Sequence, residues 1–407
     1  MNKAPANSEP PLPRLAFVSG VGFGGATTFL CNLAGELTRR KVPVLVISPE
    51  KENPFATDFQ KAGVRVVLHD DRRMIFEDRM AAMLQTIAAF QPTVVIGCVG
   101  PESYEVLRYV PQGVRRVAIV QTDHSMHFDT AAAYAGCMDD IVGISRKITE
   151  RLERMDSFHG VAKLCLLHGV AVSPAVEPRG TGGGPLRILY LGRIMNPQKR
   201  AHLFPKILVG LKKSGIPFQW TIAGEGDQLV NLKRLMTSDS PAQQVLFPGP
   251  LPNSQVPALL ERHDVFLLAS DAEGLPISLL EAMAHGVVPV VSDLESGIRD
   301  VVDAGNGMLV PVDDTEGYAR AIIHLHENRD ELAAKSAAAH ERVKEEFSVE
   351  AMADRWLAAL PPMKTAMEPW PKNWRITAPL TAKNPRRFSW PMRVLRRAAA
   401  RLRSPAG

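Results

Sequence analysis

The sequence predicts an α/β protein with two Rossmann-like domains facing a central cleft, followed by a basic C-terminal extension. Continuous runs of Val, Ile and Leu alternate with amphipathic stretches, the order typical of parallel sheets covered on both faces by helices. The chain has 407 residues, which is enough for two such domains. A Pro- and Gly-rich stretch over residues 173–184 separates the two halves and is expected to be a flexible linker.

The composition is ordinary for a globular protein in water, with 45% apolar and 22% charged residues. It contains no apolar run long enough to span a bilayer. Residues 1–13 are polar and Pro-rich and lack an apolar core, so we expect a disordered leader and not a signal peptide. The four cysteines lie in apolar segments and are expected to be reduced, buried thiols of a cytoplasmic protein. They are Cys31, Cys98, Cys137 and Cys165.

The first domain, predicted over residues 14–172, begins with a short apolar strand and a Gly-rich loop. Three glycines match the G-x-G-x-x-G spacing of a dinucleotide-binding loop: Gly20, Gly22 and Gly25. A helix is expected over 26–40, and Glu50 stands near the end of the next strand. An NAD-binding oxidoreductase is therefore one candidate function, although this spacing is a weak signal in Gly-rich turns.

The rest of the first domain alternates strands with helices. The strands are expected over 64–69, 93–99, 115–121 and 139–145, and the helices over 73–90 and 102–109. Polar residues collect just after strand ends, where open α/β sheets bind ligands. The loop after the 115–121 strand offers Asp123, His124 and His127 as candidate ligand-binding residues. Ser145 is expected to cap the helix that follows it.

The most informative stretch, residues 264–293, has the pattern of a buried strand, a loop, a short helix and a second buried strand. Pro276 stands where the helix would begin, and Gly286 where it would end. Glu273 lies in the loop and Glu281 in the second helical turn, which separates the two carboxylates by roughly 8 Å along the axis.

Backbone N–H groups at this helix N-terminus have no partner within the helix and favour phosphate oxygens. The groups in question belong to Gly274, Leu275 and Ile277. Carboxylates on both sides of a phosphate-binding position suggest a ligand that has hydroxyl groups on both sides of its phosphate. The pattern therefore predicts a nucleotide-sugar ligand.

The E-x7-E pattern of EGLPISLLE, followed by AMAHGVVPVV, resembles family 4 of the retaining glycosyltransferases, which have the GT-B fold. The resemblance covers roughly residues 14–360. It implies transfer of a sugar from a nucleoside diphosphate sugar to a hydroxyl acceptor, with no cofactor. It also implies that Glu273 contacts the transferred sugar and Glu281 the ribose. The chain has no D-x-D motif, so nothing in it requires a metal.

The resemblance extends to cations in the second domain. Arg193 and Lys199 match a G-R…K element that neutralises the donor diphosphate, and Arg200 stands where the family usually has Gly. Fixed cations suit this reaction because the leaving diphosphate gains negative charge in the transition state. His124 matches a His or Asp near the donor sugar. The other implied donor-site residues are Gly24, Gly25, Gly224, Gly249, Leu251, Gly274, Leu275 and Pro276.

The same resemblance sets the expected domain plan. A segment containing His168, where the family usually has Asn, would lead out of the first domain. The second, nucleotide-sugar-binding domain is expected over 185–346, and a helix over 347–360 would cross back to the first, acceptor-side domain.

Residues 361–407 differ from the rest because they hold eleven basic residues and one acid, a net charge of +10. A helix over 391–403 would have one apolar side and a largely basic remainder. This pattern favours an anionic membrane surface, which would place the protein peripherally on the inner face of the membrane. A solvated, disordered tail remains open. A nucleic-acid partner is disfavoured because the rest of the chain lacks a recognition motif.

Three other functions remain open on the sequence. A nucleotide-sugar epimerase of the same fold would bind the same donor and use no acceptor. An NAD-binding oxidoreductase would leave the E-x7-E pattern unexplained. A non-catalytic binder would hold a donor without transferring it. The sequence does not name the sugar, the nucleobase or the acceptor, because a few contacts decide each of these.

Overall fold

Each half of the chain folds around a parallel sheet, as the alternation of strands and helices predicts. The computed structural model describes residues 12–22, 24–50, 52–69, 74–174, 176, 179–180, 183–196, 198–237, 244–360, 367–382 and 396. Within these residues the first sheet has seven strands and the second has six. The inner strands of both sheets are buried on both faces, which explains their continuous Val and Ile runs.

The first sheet has the strand order β3-β2-β1-β4-β5-β6-β7. Its strands are β1 (Leu15–Ser19), β2 (Val44–Ser48), β3 (Arg65–Leu68), β4 (Val94–Val99), β5 (Arg115–Val120), β6 (Asp140–Gly143) and β7 (Ala162–Cys165). Its helices are α1 (Gly25–Arg39), α2 (Ala56–Lys61), α3 (Phe76–Phe90), α4 (Pro101–Glu105), α5 (Ser125–Ala132) and α6 (Arg146–Glu153). The predicted helix over 102–109 is the short α4 continued by a 3₁₀ turn, Val106–Tyr109.

The second sheet has the order β10-β9-β8-β11-β12-β13. Its strands are β8 (Leu186–Leu191), β9 (Phe218–Ala223), β10 (Val245–Gly249), β11 (Val265–Leu268), β12 (Val288–Ser292) and β13 (Met308–Val310). Its helices are α7 (Phe204–Ser214), α8 (Leu229–Thr237), α9 (Val256–Leu260), α10 (Ile277–Ala284), α11 (Gly297–Val301), α12 (Thr315–Glu327) and α13 (Arg329–Glu346). The strand order of each sheet reverses once, between β1 and β4 and between β8 and β11, which are the positions where such sheets bind ligands.

The chain crosses between the domains twice, and the two crossings lie side by side. Val170 donates its N–H to the Phe347 carbonyl at 2.9 Å and accepts the Val349 N–H at 3.0 Å. Val170 and Ser348 thus form a parallel bridge outside both sheets. Gly169 is needed there, because a Cβ at that position would lie 2.4 Å from the Ser348 carbonyl oxygen.

The helix after the second crossing, α14 (Val349–Ala359), packs against α1 of the first domain. Its Trp356 is fully buried, with ring centroids 6.3 Å from Phe17 and 6.2 Å from Phe29. The last helix of the second half therefore completes the core of the first half.

The linker predicted over 173–184 is anchored where the structure describes it. Arg179 is buried and donates hydrogen bonds to the backbone carbonyls of Glu261 and His285, the latter at 2.7 Å. A Cβ on Gly180 would lie 3.1 Å from a methyl group of Leu332. Pro and Gly content predicted flexibility, but a buried guanidinium bound to two carbonyls fixes these residues on the second domain.

One expectation about the cysteines is wrong. Cys98 is buried, and Cys31 and Cys137 are partly buried, but Cys165 is exposed. Cys165 ends β7, which lies at the edge of the first sheet, so one side of the strand faces solvent. β7 and α2 were not predicted, because β7 has only four residues and is exposed at both ends, and α2 has only six residues.

The basic extension is not wholly solvated, because residues 367–382 lie along the first domain. Ile376 is buried, and the Leu380 N–H donates to Glu105 at 3.3 Å. Arg396 forms an ion pair with the buried Glu77 at the start of α3. Apart from Arg396, the helix predicted over 391–403 lies outside the described residues, as does the predicted leader before Leu12.

No helix in the part of the chain that the structure describes is both long and apolar enough to cross a bilayer.

Candidate active site

The unit predicted over 264–293 forms the second-domain wall of the cleft. β11 runs into a loop, and α10 begins directly after Pro276, which has an extended backbone and no N–H. No side chain caps α10, so the N–H groups of its first turn are available to an anion. Gly286 follows the helix at φ 69° and ends it, as predicted.

Glu273 and Lys199 meet at the start of this helix. The Lys199 Nζ lies 2.6 Å from Glu273 Oε1, and only 13% and 6% of the two side chains are exposed. Backbone hydrogen bonds join the loops that carry them, since Asp271 donates its N–H to the Gln198 carbonyl at 3.1 Å. The structure therefore brings together two candidate site residues that lie 74 positions apart in the sequence.

Arg200, the departure from the family pattern, is held by two carboxylates. It has φ 48° and ψ 40°, a left-handed conformation that Gly adopts more easily. Its guanidinium pairs with Asp271 at 2.9 Å and also with Asp313, which has φ 70° itself. Because these carboxylates neutralise Arg200, the free positive charge of the loop resides elsewhere.

In the described part of this loop, the cation that has no such partner is Arg193, which follows β8. The side chain is exposed and forms no ion pair with any carboxylate among the described residues. Its backbone carbonyl accepts a hydrogen bond from the Tyr190 hydroxyl at 2.5 Å, which fixes the turn. Among the described residues, Arg193 is thus the cation of the site without a carboxylate partner, whereas Lys199 and Arg200 are paired with Glu273 and with Asp271 and Asp313.

Glu281, on α10, is a half-buried carboxyl group with unusual titration. Burial away from water disfavours its charged form and raises its pKa from the usual 4.5 to about 7. The carboxyl group is therefore poised to change its protonation state near neutral pH when a ligand binds.

The first domain contributes the opposite wall through its Gly-rich loop. Gly24 precedes α1 at φ 145°, and no side chain caps that helix. A Cβ on Gly25 would lie 3.4 Å from Ile277 Cγ1, the first residue of α10. The uncapped N-termini of α1 and α10 thus meet across the cleft, one from each domain.

The loop after β5 lies over the same place. A Cβ on Gly274 would sit 2.7 Å from the Gln121 carbonyl oxygen. The Gln121 Nε2 is buried and has no hydrogen-bond partner among the described residues. Sequence reasoning missed Gln121, because a Gln after a strand is a common surface residue and only its buried amide marks it here.

The three polar candidates of this loop have different surroundings. His124 is exposed and caps α5, its Nδ1 accepting the Met126 N–H at 3.3 Å. Burial, and then the charge of His124, lower the pKa of His127. Asp123 is paired with Arg151 at 2.7 Å and so has a structural partner. Ser145 caps α6 as predicted, accepting the Ile148 N–H at 3.3 Å.

The glycines predicted near the nucleoside have a packing role. A Cβ on Gly224 would lie 1.9 Å from the Gly192 carbonyl oxygen. Gly249, at φ 82°, accepts the Gly224 N–H at 2.9 Å, and Leu251 follows it, partly buried. These glycines therefore allow the 224–226 loop to lie against the turn that carries Arg193.

Glu50 changes how the first Gly-rich loop can be used. Its Oε2 accepts the Val21 N–H at 2.7 Å, and its Oε1 would be 2.6 Å from a Cβ on Gly20. The carboxylate thus occupies the loop and repels a second anion. This arrangement disfavours a dinucleotide pyrophosphate at Gly20 and Gly22.

Within the described residues, no group of three or more His, Cys, Asp or Glu side chains is arranged to hold a metal ion.

Residues 176–342 match the family model described as Glycosyl transferases group 1. The amylovoran biosynthesis glycosyltransferase AmsK of Erwinia amylovora is 32% identical over 171 residues, 40% of this chain and 42% of AmsK. The chain thus spans less than half the length of this relative. A GDP-mannose-dependent alpha-(1-6)-phosphatidylinositol monomannoside mannosyltransferase of Mycolicibacterium smegmatis is 26% identical over 345 residues, 77% of this chain and 89% of that protein.

Solved structures share the whole two-domain arrangement. TarM of S. aureus, solved with fondaparinux, alpha-GlcNAc-glycerol and UDP, has a TM-score of 0.72 at 13% identity, covering 85% of this chain and 99% of TarM. HepE of Anabaena, solved with UDP and glucose, has a TM-score of 0.67 at 17% identity, covering 85% and 99% of the two chains. At these identities the likeness establishes the fold.

Proposed function

We propose, from the premise that residues 176–342 belong to the glycosyl transferases group 1 and that the chain has the GT-B fold, that this protein is a glycosyltransferase. It transfers a sugar from a nucleoside diphosphate sugar to a hydroxyl acceptor. The observation that carries the proposal is the meeting of two uncapped helix N-termini at the Lys199–Glu273 pair. Such a site suits a diphosphate next to a group with several hydroxyls.

The donor fits this site in one orientation. Lys199 and Arg193 neutralise the diphosphate, the N-terminus of α10 binds its oxygens, and Glu273 accepts hydrogen bonds from sugar hydroxyls. Glu281, about one turn along α10 from Ile277, accepts hydrogen bonds from the ribose hydroxyls. The approach of Gly25 to Ile277 supports closure of the first domain over the reacting sugar, which excludes water.

The transfer proceeds with retention of the anomeric configuration. The bond between the anomeric carbon and the phosphate oxygen breaks, and the acceptor oxygen forms its bond on the same face. The acceptor proton passes to the leaving phosphate oxygen. Two features support this route: Glu273 is paired with a cation, and Lys199 and Arg193 stabilise the departing dianion.

The acceptor is a membrane-associated glycan or glycolipid of cell-surface polysaccharide synthesis. AmsK is named for the biosynthesis of amylovoran, and the mycobacterial relative is named for a phosphatidylinositol monomannoside. The net charge of +10 over residues 361–407 supports a peripheral position on an anionic membrane.

The test is incubation of the purified chain with UDP-, GDP- and ADP-sugars, with and without a membrane extract. Release of nucleoside diphosphate from one donor, increased by the extract, is the expected result. Conversion of a donor to an epimer without extract would instead support the epimerase. If no donor binds, the roles assigned to Glu273, Glu281, Arg193 and Lys199 are wrong.

Donor binding is also expected to depend on pH through Glu281. Its raised pKa of about 7 means that the carboxyl group is largely protonated at pH 6 and ionised at pH 8. If the ribose binds the ionised form, the Kd of the intact nucleotide sugar falls up to about tenfold between these pH values. Calorimetric titration of the intact donor checks this, because its phosphate charge is constant over that range.

The matched control is Glu281→Gln, whose affinity for the same donor is expected to be weaker and independent of pH. A wild-type Kd that does not change between pH 6 and 8 would contradict the assignment of Glu281 to the ribose.

A further inference from the structure

Asp300, on α11 of the second domain, bonds directly to the first domain. Its Oδ2 accepts the backbone N–H of Arg146, the first residue of α6, at 2.9 Å. The Arg146 guanidinium lies farther away, at 3.7 Å from Oδ1, and 67% of that side chain is exposed, against 8% for Asp300. The buried contact is therefore between a carboxylate and the N-terminus of a helix in the other domain.

The other end of α11 contacts the donor-binding loop. Gly297, the first residue of α11, donates its N–H to the Gly274 carbonyl at 2.6 Å. A Cβ on Gly297 would lie 2.3 Å from that oxygen, so the contact requires Gly. α11 is a single short helix, so its first turn bonds to the loop that follows Glu273 and its fourth residue bonds to the first domain.

The first domain also touches this loop directly. A Cβ on Gly274 would lie 2.7 Å from the Gln121 carbonyl and 3.1 Å from Ile144 Cδ1. Ile144 lies two residues before Arg146, whose N–H binds Asp300. Gly274 is thus contacted from one side by the end of β6 and held from the other by α11.

We propose that Asp300 is a positioning residue that couples the approach of the two domains to the geometry of the Gly274 loop, and hence of Glu273. The inference rests on the proposed function, because the coupled loop is the one assigned to the donor sugar. With the domains together, the Arg146 N–H fixes Asp300 and α11, and Gly297 fixes the Gly274 carbonyl. With the domains apart, Asp300 is exposed to water and α11 keeps only its second-domain contacts, among them the hydrogen bond from Arg342 to the Asp300 carbonyl at 3.1 Å.

This role predicts that loss of Asp300 slows turnover more than it weakens donor binding. The other proposed donor contacts, from Arg193, Lys199 and the N-terminus of α10, do not pass through Asp300, so donor affinity is expected to change much less than turnover. The arrangement for transfer requires both domains, and small displacements of positioning groups cost up to about 100-fold in rate. Loss of Asp300 therefore lowers kcat and spares the KM for the donor.

The test compares Asp300→Ala with two variants. Asp300→Asn keeps an oxygen that can accept the Arg146 N–H and serves as the conservative rescue. Lys147→Gln is the matched control, because Lys147 lies on the same helix as Arg146 and forms a more exposed ion pair across the interface, with Glu295 at 2.8 Å, just before α11. Donor turnover is measured with the donor that the wild-type chain uses, together with the thermal midpoint of each variant.

In Asp300→Ala, kcat is expected to fall about 10- to 100-fold with the donor KM within about twofold of wild type. Asp300→Asn is expected to recover most of kcat, and Lys147→Gln to match wild type. A lower thermal midpoint with unchanged kcat, or an equal loss in Lys147→Gln, overturns the proposal.

A readout without turnover separates this proposal from the proposed function. Hydrogen exchange of peptides covering 271–276 is expected to be faster in Asp300→Ala than in wild type, with no donor present, and unchanged in Lys147→Gln. Unchanged exchange in Asp300→Ala overturns the coupling. If the wild-type chain turns over no donor, the proposed function fails, and the exchange result alone decides whether Asp300 holds the loop.

Discussion

Replacing Lys199 by alanine is expected to lower the kcat of sugar transfer by about 10²–10³-fold. Lys199 lies at the start of α10 beside Glu273, where the leaving diphosphate gains negative charge as the glycosidic bond breaks. A fixed cation therefore stabilises the transition state more than the bound donor. Steady-state release of nucleoside diphosphate, measured at saturating donor, gives the change in kcat directly.

Two companion variants separate charge from structure at this pair. Lys199→Arg keeps the positive charge and is expected to retain more activity than Lys199→Ala. Removal of Lys199 alone leaves the buried Glu273 carboxylate without its partner, which costs about 3–5 kcal/mol of stability. The Lys199→Ala, Glu273→Gln double variant is expected to unfold closer to wild type. Equal losses of kcat in Lys199→Ala and Lys199→Arg would show that charge is not the reason.

Replacing Trp356 by alanine is expected to lower the free energy of unfolding by about 3–5 kcal/mol. The indole is fully buried between Phe17 and Phe29, and its removal leaves a cavity in the first domain, although Trp356 follows the second domain in sequence. Denaturant unfolding followed by circular dichroism measures the loss.

The control on the same helix is Glu350→Ala, an exposed position where a change within about 0.5 kcal/mol is expected. If Trp356→Ala cost less than about 1 kcal/mol, α14 would contribute little to the first domain, and the crossing helix would be only loosely attached.

The sheets and the E-x7-E unit could be predicted because their signals are local. A strand buried on both faces is apolar throughout, as in Val288–Ser292, so it is visible in any window of the sequence. Glu273 and Glu281 lie within one strand–loop–helix unit, so a single window of the sequence contains both. Lys199 could be assigned to the same site only through the family resemblance, since 74 residues separate it from Glu273.

The remaining features depend on contacts that no local pattern contains. Asp300 meets Arg146 across 154 residues, and Arg200 meets Asp313 across 113. Each is an ordinary surface charge until the fold brings its partner near. Burial of Ile376 and Arg179 likewise depends on the surface beneath them, which composition does not describe. Pro, Gly and Arg content therefore predicted flexibility where the structure has anchored chain.

The paired crossings at Val170 and Ser348 limit how the two domains can move mechanically. A single strand would act as a tether and allow the domains to swivel and twist about it. Two adjacent strands joined by hydrogen bonds resist twisting, because rotation about the strand direction would break both bonds. We therefore expect the domains to bend mainly about one axis through the two crossings, with the cleft opening on the side away from that axis.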